Sequence, residues 1–182
     1  MPTLLTLTGG DLTPSHHAQI DAAERREFGM GLSAPSTLAD RLYFLLVEPE
    51  SDTVLACGYL KPIHPVLFQG QTFSFLNIGG VIANEKGKGY GKQVMQAMRA
   101  HLLARDQTGL GYCWPHNTGF YEKCGFTVET NATHRFIYRD ENGCPFTGAG
   151  QVILYLESSD RFMAQVLASP DAEVSVPDPG IW

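Results

Sequence analysis

The stretch NEKGKGYGKQVMQAMRAHL, residues 84–102, places three glycines and three lysines directly before a helical pattern. In its second half, apolar residues such as Val94, Met95 and Met98 recur with the period of an amphipathic helix. A strand-like run, TFSFLNIGGVIA (72–83), comes just before it. The order of strand, glycine-rich loop and helix raises the question of what such a loop binds.

Two nucleotide-binding patterns do not fit this loop. If it is aligned with a P-loop, G-x-x-x-x-G-K-[ST], Lys86 stands at the first glycine and Gln93 at the hydroxyl that contacts magnesium. The dinucleotide fingerprint G-x-G-x-x-G can begin at Gly87, but Lys92 then stands at its last glycine. In addition, no acidic residue ends a strand about twenty residues later, as that fingerprint requires. The sequence therefore disfavours both nucleotide folds.

A cradle for a diphosphate is the remaining ligand-binding interpretation. Glycines allow successive backbone N–H groups to turn toward an anion without a Cβ clash. The start of the following helix adds partial positive charge, and the lysines add full charges. A glycine-rich loop with solvated lysines and no ligand explains the same residues, so the loop by itself leaves both interpretations open.

Outside this stretch the chain alternates between strand and helix patterns, which predicts a single mixed α/β domain. Gly79-Gly80, inside a strand, predicts a bulge or a close approach by another group. The segment SPDAEVSVPDPGIW (169–182) is rich in proline and is predicted to be irregular. The other predicted elements are a strand at 3–8, a helix at 14–28, a hairpin at 41–63, a helix from Gly91 to about Arg105, a strand at 109–114, a short helix within 117–126, and strands at 133–140 and 150–158.

The run VIANEKGKGYGKQVMQAM (81–98) resembles the acetyl-CoA signature, Q/R-x-x-G-x-G/A, of the GNAT superfamily of acyl-CoA-dependent N-acyltransferases. Lys86 stands at the Q/R position, and Gly89 and Gly91 are the two glycines. Lysine keeps the charge of arginine but loses its planar fork. A second stretch, NTGFYEKCGF (117–126), follows about thirty residues later and is similar to a later motif of the family. Two motifs in this order indicate an acyl-CoA enzyme.

The resemblance covers about residues 40–140 and implies a GNAT-like fold. Its central sheet is then mixed and mostly antiparallel, with helices on both faces and with strands four and five splayed apart. The domain is expected to occupy residues 1–168, followed by a proline-rich tail at 169–182. The function implied is transfer of an acetyl or other acyl group from acetyl-CoA to a primary amine of a small molecule or peptide, by direct attack.

The resemblance also implies where acetyl-CoA binds. The backbone at the end of the long strand would hold the pantetheine between the splayed strands, and the glycine-rich loop would bind the pyrophosphate. The residues implied in acetyl-CoA binding are Val81, Ile82, Ala83, Lys86, Gly87, Lys88, Gly89, Tyr90, Gly91, Lys92, Asn117 and Phe120. Asn117 would look the same if it were only a helix N-cap. Tyr121 matches the general acid that protonates the departing thiolate, since a phenol and a thiol are of similar basicity.

The general base stays unassigned. Asn77 stands where many members carry a glutamate, and an amide does not accept a proton usefully. His116, His64 or a water chain are the alternatives, although a lone histidine is more often structural. Cys113 is close to His116 in sequence and suggests a covalent cysteine mechanism. On a strand, however, residues three apart face opposite sides, which favours a buried thiol.

Composition and charge narrow the function classes. A formal charge of −6 argues against a nucleic-acid partner, because phosphate contacts need a broad basic surface. No cysteine pair has the spacing of a zinc site, so no metal is expected. Neither a signal peptide nor an apolar run long enough to span a bilayer is found, which predicts a cytoplasmic protein without membrane contact.

Three other functions remain as alternatives. An aminoglycoside 2′-N-acetyltransferase is suggested by a faint resemblance in layout, including a terminal tryptophan, Trp182. A catalytically silent acyl-CoA-binding module is suggested by Asn77 and Lys86, which depart from the family pattern. A protein-interaction domain with an empty loop is the third. The N-terminal helix region, the GMGLSAPS loop (29–36) and the C-terminal end from Glu157 onward are expected to shape the acceptor pocket, and a homodimer is left open.

Overall fold

A computed structural model of the chain describes residues 1–29, 31 and 38–177, and these form the mixed α/β fold that the sequence predicts. Within these described residues, short 3-10 turns cover Gly9–Asp11, Pro115–Asn117 and Thr133–Arg135. None of the helices in this part of the chain is long and apolar enough to cross a membrane. The strands and helices are β1 (Thr3–Thr8), α1 (Pro14–Phe28), β2 (Leu42–Glu48), β3 (Thr53–Phe68), β4 (Gln71–Ala83), α2 (Tyr90–Ala104), β5 (Gly109–Cys113), α3 (Thr118–Lys123), β6 (Thr127–Glu129), β7 (Phe136–Arg139), β8 (Pro145–Phe146), β9 (Val152–Leu156), α4 (Phe162–Ala168) and β10 (Val174–Ser175).

The chain divides into two compact units, and the division crosses β3, β4 and α2. The first unit comprises Met1–Lys61 and Gly79–Met98, and the second comprises Pro62–Ile78 and Arg99–Trp182. Each unit has its own cluster of buried apolar side chains. The division of the sequence into a domain at 1–168 and a tail at 169–182 stays a prediction.

In the first unit, β1, β2 and the first half of β3 form an antiparallel sheet between two helices. Successive side chains of a strand point to opposite faces of the sheet, so the contacts of two neighbouring residues show what covers each face. Cys57 of β3 packs in one cluster with Ile20 and Ala23 of α1. A side chain at the next residue, Gly58, would contact Val94 and Met98 of α2. Helices therefore cover both faces of this sheet, as predicted.

Helix α1 begins and ends with the signals that its sequence provides. The Thr13 hydroxyl accepts a hydrogen bond from the His16 N–H at 3.1 Å, and Pro14 takes the first helical position, where no N–H is needed. At the other end Gly29 has a φ of 74°, and its N–H donates to the Arg25 carbonyl. A glycine in this left-handed conformation closes the helix.

The strands of the second unit follow the order β6-β9-β5-β4-β3-β10-β7-β8. The β4–β5 and β7–β10 pairs are parallel, and the β4–β5 ladder has three residue pairs, from Leu76↔Gly109 to Ile78↔Gly111. At Gly111 a Cβ would lie 2.5 Å from the Ile78 carbonyl oxygen, so only glycine fits there. This close approach explains one of the two glycines in β5.

Four elements of the second unit are absent from the sequence prediction: β6, β8, α4 and β10. The expectation that residues 169–182 are irregular is wrong for Val174–Ser175, which pair with β3 and β7. This strand has two residues, too few to show a period in the sequence. The strand predicted at 133–140 begins three residues late, because Thr133–Arg135 form a 3-10 turn.

Candidate active site

The glycine-rich loop before α2 has the geometry of an anion-binding backbone. Gly87 has a φ of 79° and Gly89 a φ of 77°, and Lys88 between them has no positive φ. Alternation of this kind turns successive N–H groups toward one side and forms a concave site for anions. A Cβ added to either glycine would meet no protein atom within 4 Å, so the space over both residues is open.

The start of α2 adds further donors to this loop. At the beginning of this helix, the Gln93 N–H donates a hydrogen bond to the carbonyl of Gly89, the residue just before the helix, at 3.2 Å. The N–H groups of Tyr90, Gly91 and Lys92 therefore have no helical carbonyl to bind, which is general at a helix start. The predicted pyrophosphate residues thus lie together on one loop and one helical turn.

The segment between β4 and α2 is held to α1 and β3 by polar contacts that the sequence does not reveal. Asn84 accepts a hydrogen bond from Arg26 at 2.6 Å and donates one to the Val54 carbonyl at 2.6 Å. The Lys86 ammonium, at the position of the family's glutamine or arginine, lies 3.2 Å from a carboxylate oxygen of Glu27. Exposed pairs of this kind contribute little stability, about 0–1 kcal/mol, so the lysine can exchange this partner for a phosphate.

The side chains of the three β4 residues predicted to hold the pantetheine are directed differently. Ile82 is buried in the core of the first unit, with 2% of its surface exposed. Val81 lies on the other face, where its side chain would contact a residue larger than glycine at Gly58. Ala83 has only a methyl group. The polar groups that these three residues can offer a substrate are therefore their backbone N–H and C=O groups.

The Gly79-Gly80 pair in β4 is both irregular and tightly covered, as predicted. Gly80 has a φ of 58°, which is unusual inside a strand. A Cβ at Gly79 would lie 2.5 Å from the Tyr59 hydroxyl oxygen, and one at Gly80 would lie 2.7 Å from the Tyr59 ring. The aromatic ring therefore occupies the space that two side chains would otherwise fill.

Tyr121 lies on α3 in the second unit, next to two thiols. Burial raises the pKa of its phenol above the usual value, and the neighbouring Cys113 and Cys124 add to the shift. The helix ends two residues later at Lys123, and Gly125, with a φ of 87° and an N–H that donates to the Glu122 carbonyl, closes it as predicted. The Tyr121 hydroxyl is protonated at neutral pH, and its raised pKa makes it a weaker acid than a free tyrosine.

The two residues of this segment predicted to contact CoA have exposed side chains. Asn117 takes the N-cap position of α3, yet its side chain makes no capping hydrogen bond. A helix-capping role therefore does not explain why asparagine is found at this position. Phe120 is 38% exposed and packs edge-to-face on Tyr121, with ring centroids 5.0 Å apart.

The structure shows the surroundings of the residues considered as a base or as a nucleophile. Asn77 is buried with 2% exposed, and its Oδ1 has no hydrogen-bond partner among the described residues. His64 and His116 are both exposed on the second unit. Burial raises the pKa of the Cys113 thiol to about 11, so this thiol is protonated at neutral pH. A protonated thiol is a weak nucleophile, which argues against the covalent alternative.

Sequence reasoning missed one group beside the glycine pair, the carboxylate of Glu24 on α1. Its Oε1 would lie 3.0 Å from a Cβ at Gly80. A signal was present, because Ile20, Ala23 and Glu24 have the spacing of one helix face and the first two are buried. A glutamate on the buried face of a helix is uncommon and is often functional.

Residues 12–126, more than half of the chain, match the family model described as the acetyltransferase (GNAT) family. This match places the protein among the acyltransferases, and members of this family use an acyl-CoA. The chain belongs to the GNAT acetyltransferase family.

Solved structures share its fold at low sequence identity. An acyl-CoA N-acyltransferase from Pseudomonas aeruginosa has a TM-score of 0.54 at 19% identity, over 84% of this chain and 98% of its own. ElaA from Escherichia coli has a TM-score of 0.58 at 17% identity, over 86% and 100%. A Bacillus subtilis acetyltransferase solved in complex with CoA has a TM-score of 0.51 at 19% identity, over 86% and 99%. Comparison with curated proteins gives no match.

Proposed function

We propose that the protein is an N-acetyltransferase that transfers the acetyl group of acetyl-CoA directly to a primary amine of a small molecule or peptide. The observation that supports this most is the loop before α2. Gly87 and Gly89 have positive φ, the space above them is open, and lysines flank them. A loop that only joined a strand to a helix would need none of these three properties.

In this proposal the loop binds the pyrophosphate of acetyl-CoA. The N–H groups between Lys86 and Lys92 donate to its oxygens, and Lys88 and Lys92, which are exposed, supply charge. The backbone of Val81 to Ala83 bonds the pantetheine amides and polarises the thioester carbonyl. Asn117 and Phe120 add a polar and an aromatic contact to the CoA moiety.

Tyr121 has the role of general acid in this proposal. When the amine nitrogen attacks the thioester carbon, the carbon–sulfur bond breaks and the thiolate needs a proton. The partly buried Tyr121 phenol, which is protonated at neutral pH, supplies it, although its raised pKa makes it a weaker acid than a free tyrosine. Acceptor identity, a homodimer and a cytoplasmic location stay predictions. Of the predicted acceptor segments, the N-terminal helix and residues 157–177 are described, whereas most of 29–36 and Trp182 lie outside the described residues.

The first test is thermal unfolding with and without acetyl-CoA. At about one hundred times the dissociation constant, binding contributes about 2.7 kcal/mol, which for a chain of this length raises Tm by roughly 5–10 °C. We expect this shift, and we expect free CoA to give one of similar size. An unchanged Tm would contradict the proposal and favour an interaction domain. A shift without acetylation of any amine would favour the silent binding module.

The second test replaces Tyr121 by phenylalanine, which keeps the ring and removes the proton donor. We expect kcat to fall at least about tenfold while the Kd for acetyl-CoA stays within about twofold. An acid acts while it is protonated and fails as pH rises through its pKa. Because burial raises that pKa, wild-type kcat should not decline from this cause up to about pH 10. An unaltered kcat in the variant would return Tyr121 to a structural role.

A further inference from the structure

The side of β4 at Gly79-Gly80 carries a carboxylate and a phenol in place of its own side chains. Glu24 Oε1 would lie 3.0 Å from a Cβ on Gly80, and Tyr59 ring atoms would lie 2.7 and 2.9 Å from the same point. The two groups come from α1 and β3, and all of these residues belong to the first unit. Two functional groups are thus held against the bare backbone of this strand.

The Glu24 carboxylate is more basic than an ordinary, solvent-exposed glutamate. Burial raises its pKa above the usual value, while the Arg41 guanidinium lowers it in part and Asp21 raises it further. Arg41 lies over the Tyr59 ring, 4.5 Å from its centroid. Two further titratable groups nearby, Tyr43 and Cys57, are neutral, since burial raises the pKa values of both to about 12, and the Arg26 guanidinium is a further charge close to Cys57.

Glu24 differs in its contacts from the other acidic residues of α1. Asp21 accepts a hydrogen bond from Arg25 at 2.8 Å, in the same helix. Glu27 lies 3.2 Å from the Lys86 ammonium. Both are thus paired at the surface, whereas the Glu24 carboxylate is partly buried and directed at β4.

We propose that Glu24 is the general base of the acetyl transfer and that the acceptor binds as an ammonium ion at its carboxylate, beside Gly79-Gly80. The inference rests on the proposed function and adds to it the base and the charge of the acceptor. In this proposal the base is a carboxylate on α1, because Asn77 of β4, at the position where many family members carry a glutamate, is an amide.

The proton balance of the reaction is complete with this group. The ammonium ion R–NH₃⁺ gives one proton to the Glu24 carboxylate, and the lone pair that is freed attacks the thioester carbon. A carbon–nitrogen bond forms and the carbon–sulfur bond breaks. The nitrogen loses a second proton, which replaces the one that Tyr121 gives to the thiolate. The products are the amide and CoA thiol, and Glu24 returns its proton to solvent.

The test compares Glu24→Gln, Glu24→Asp and wild type on a fixed panel of primary amines: spermidine, glucosamine, kanamycin and an alanine-initiated peptide. For any amine that wild type acetylates, we expect Glu24→Gln to lower kcat at least about 100-fold. The Kd for acetyl-CoA should stay within about twofold. Glu24→Asp keeps the base on a shorter side chain and should recover part of the rate. Glu50→Gln, in the exposed turn after β2, is the control and should behave as wild type.

The pH profile separates a base from a structural group. In wild type the rate should rise with pH through the raised pKa of Glu24, because only the carboxylate accepts a proton. In Glu24→Gln the rise should instead follow the pKa of the amine itself. A Glu24→Gln variant with near-wild-type kcat, or with lower kcat and an unchanged profile, would overturn the inference alone. Failure of wild type to bind acetyl-CoA, or to acetylate any of the four amines, would overturn the proposed function and the inference with it.

Discussion

Gly89→Val is expected to abolish acetyl-CoA binding, with the Kd raised at least about 100-fold, or roughly 2.7 kcal/mol. Gly89 has a φ of 77°, in a region that a β-branched residue avoids, and the space above it is open. Valine would therefore act twice. It would turn the backbone donors away from their present direction, and it would place a branched side chain in the proposed pyrophosphate site.

A control with the same local strain is available in the second unit. Gly143 also has a φ of 77°, and a Cβ there would likewise meet nothing within 4 Å. Gly143→Val should lower Tm about as much as Gly89→Val and leave acetyl-CoA binding unchanged. Calorimetric titration of both variants gives the comparison. If Gly89→Val binds acetyl-CoA with wild-type affinity, the assignment of the pyrophosphate to this loop is wrong.

The parts of the fold that the sequence predicts well are those in which short-range chemistry decides the conformation. Thr13-Pro14 and Gly29 delimit α1 as expected, and the strand, glycine loop and helix at 71–104 are present within one residue of their predicted bounds. At Gly125 a positive φ ends the short helix. In each case the signal is a residue whose own backbone preference is strong.

The missed features depend on partners that are distant in the chain. β10 is a strand only because Val174 pairs with Phe68 on one side and with Phe136 on the other. The Glu24 carboxylate comes close to β4 only because Gly80, more than fifty positions later, lacks a side chain. Neither condition can be read from residues within one helix or one strand.

Helix α4 is also absent from the sequence prediction, and its first residue, Phe162, is a large part of the core of the second unit. Phe162 is fully buried, and its ring lies within 5.0 to 6.4 Å of four other phenylalanines. Phe162, Met163 and Val166 are the buried residues of the helix, at spacings typical of one helix face. The Asp160 carboxylate accepts a hydrogen bond from the Phe162 N–H at 3.0 Å, which helps to fix the helix start.

Phe162→Ala is therefore expected to lower the free energy of unfolding by about 3–5 kcal/mol. The loss combines the transfer of a large aromatic side chain with a cavity among four rings that pack edge-to-face, tilted or stacked on it, and rings in such clusters cannot easily move inward. Leu167→Ala, in the same helix but 38% exposed, is the matched control and should cost less than about 1 kcal/mol. Denaturant unfolding of the three proteins measures both values. A cost below about 1 kcal/mol for Phe162→Ala would mean that α4 is not part of the cooperative core, and the pairing of β10 beyond it would then have to stabilise that end of the chain alone.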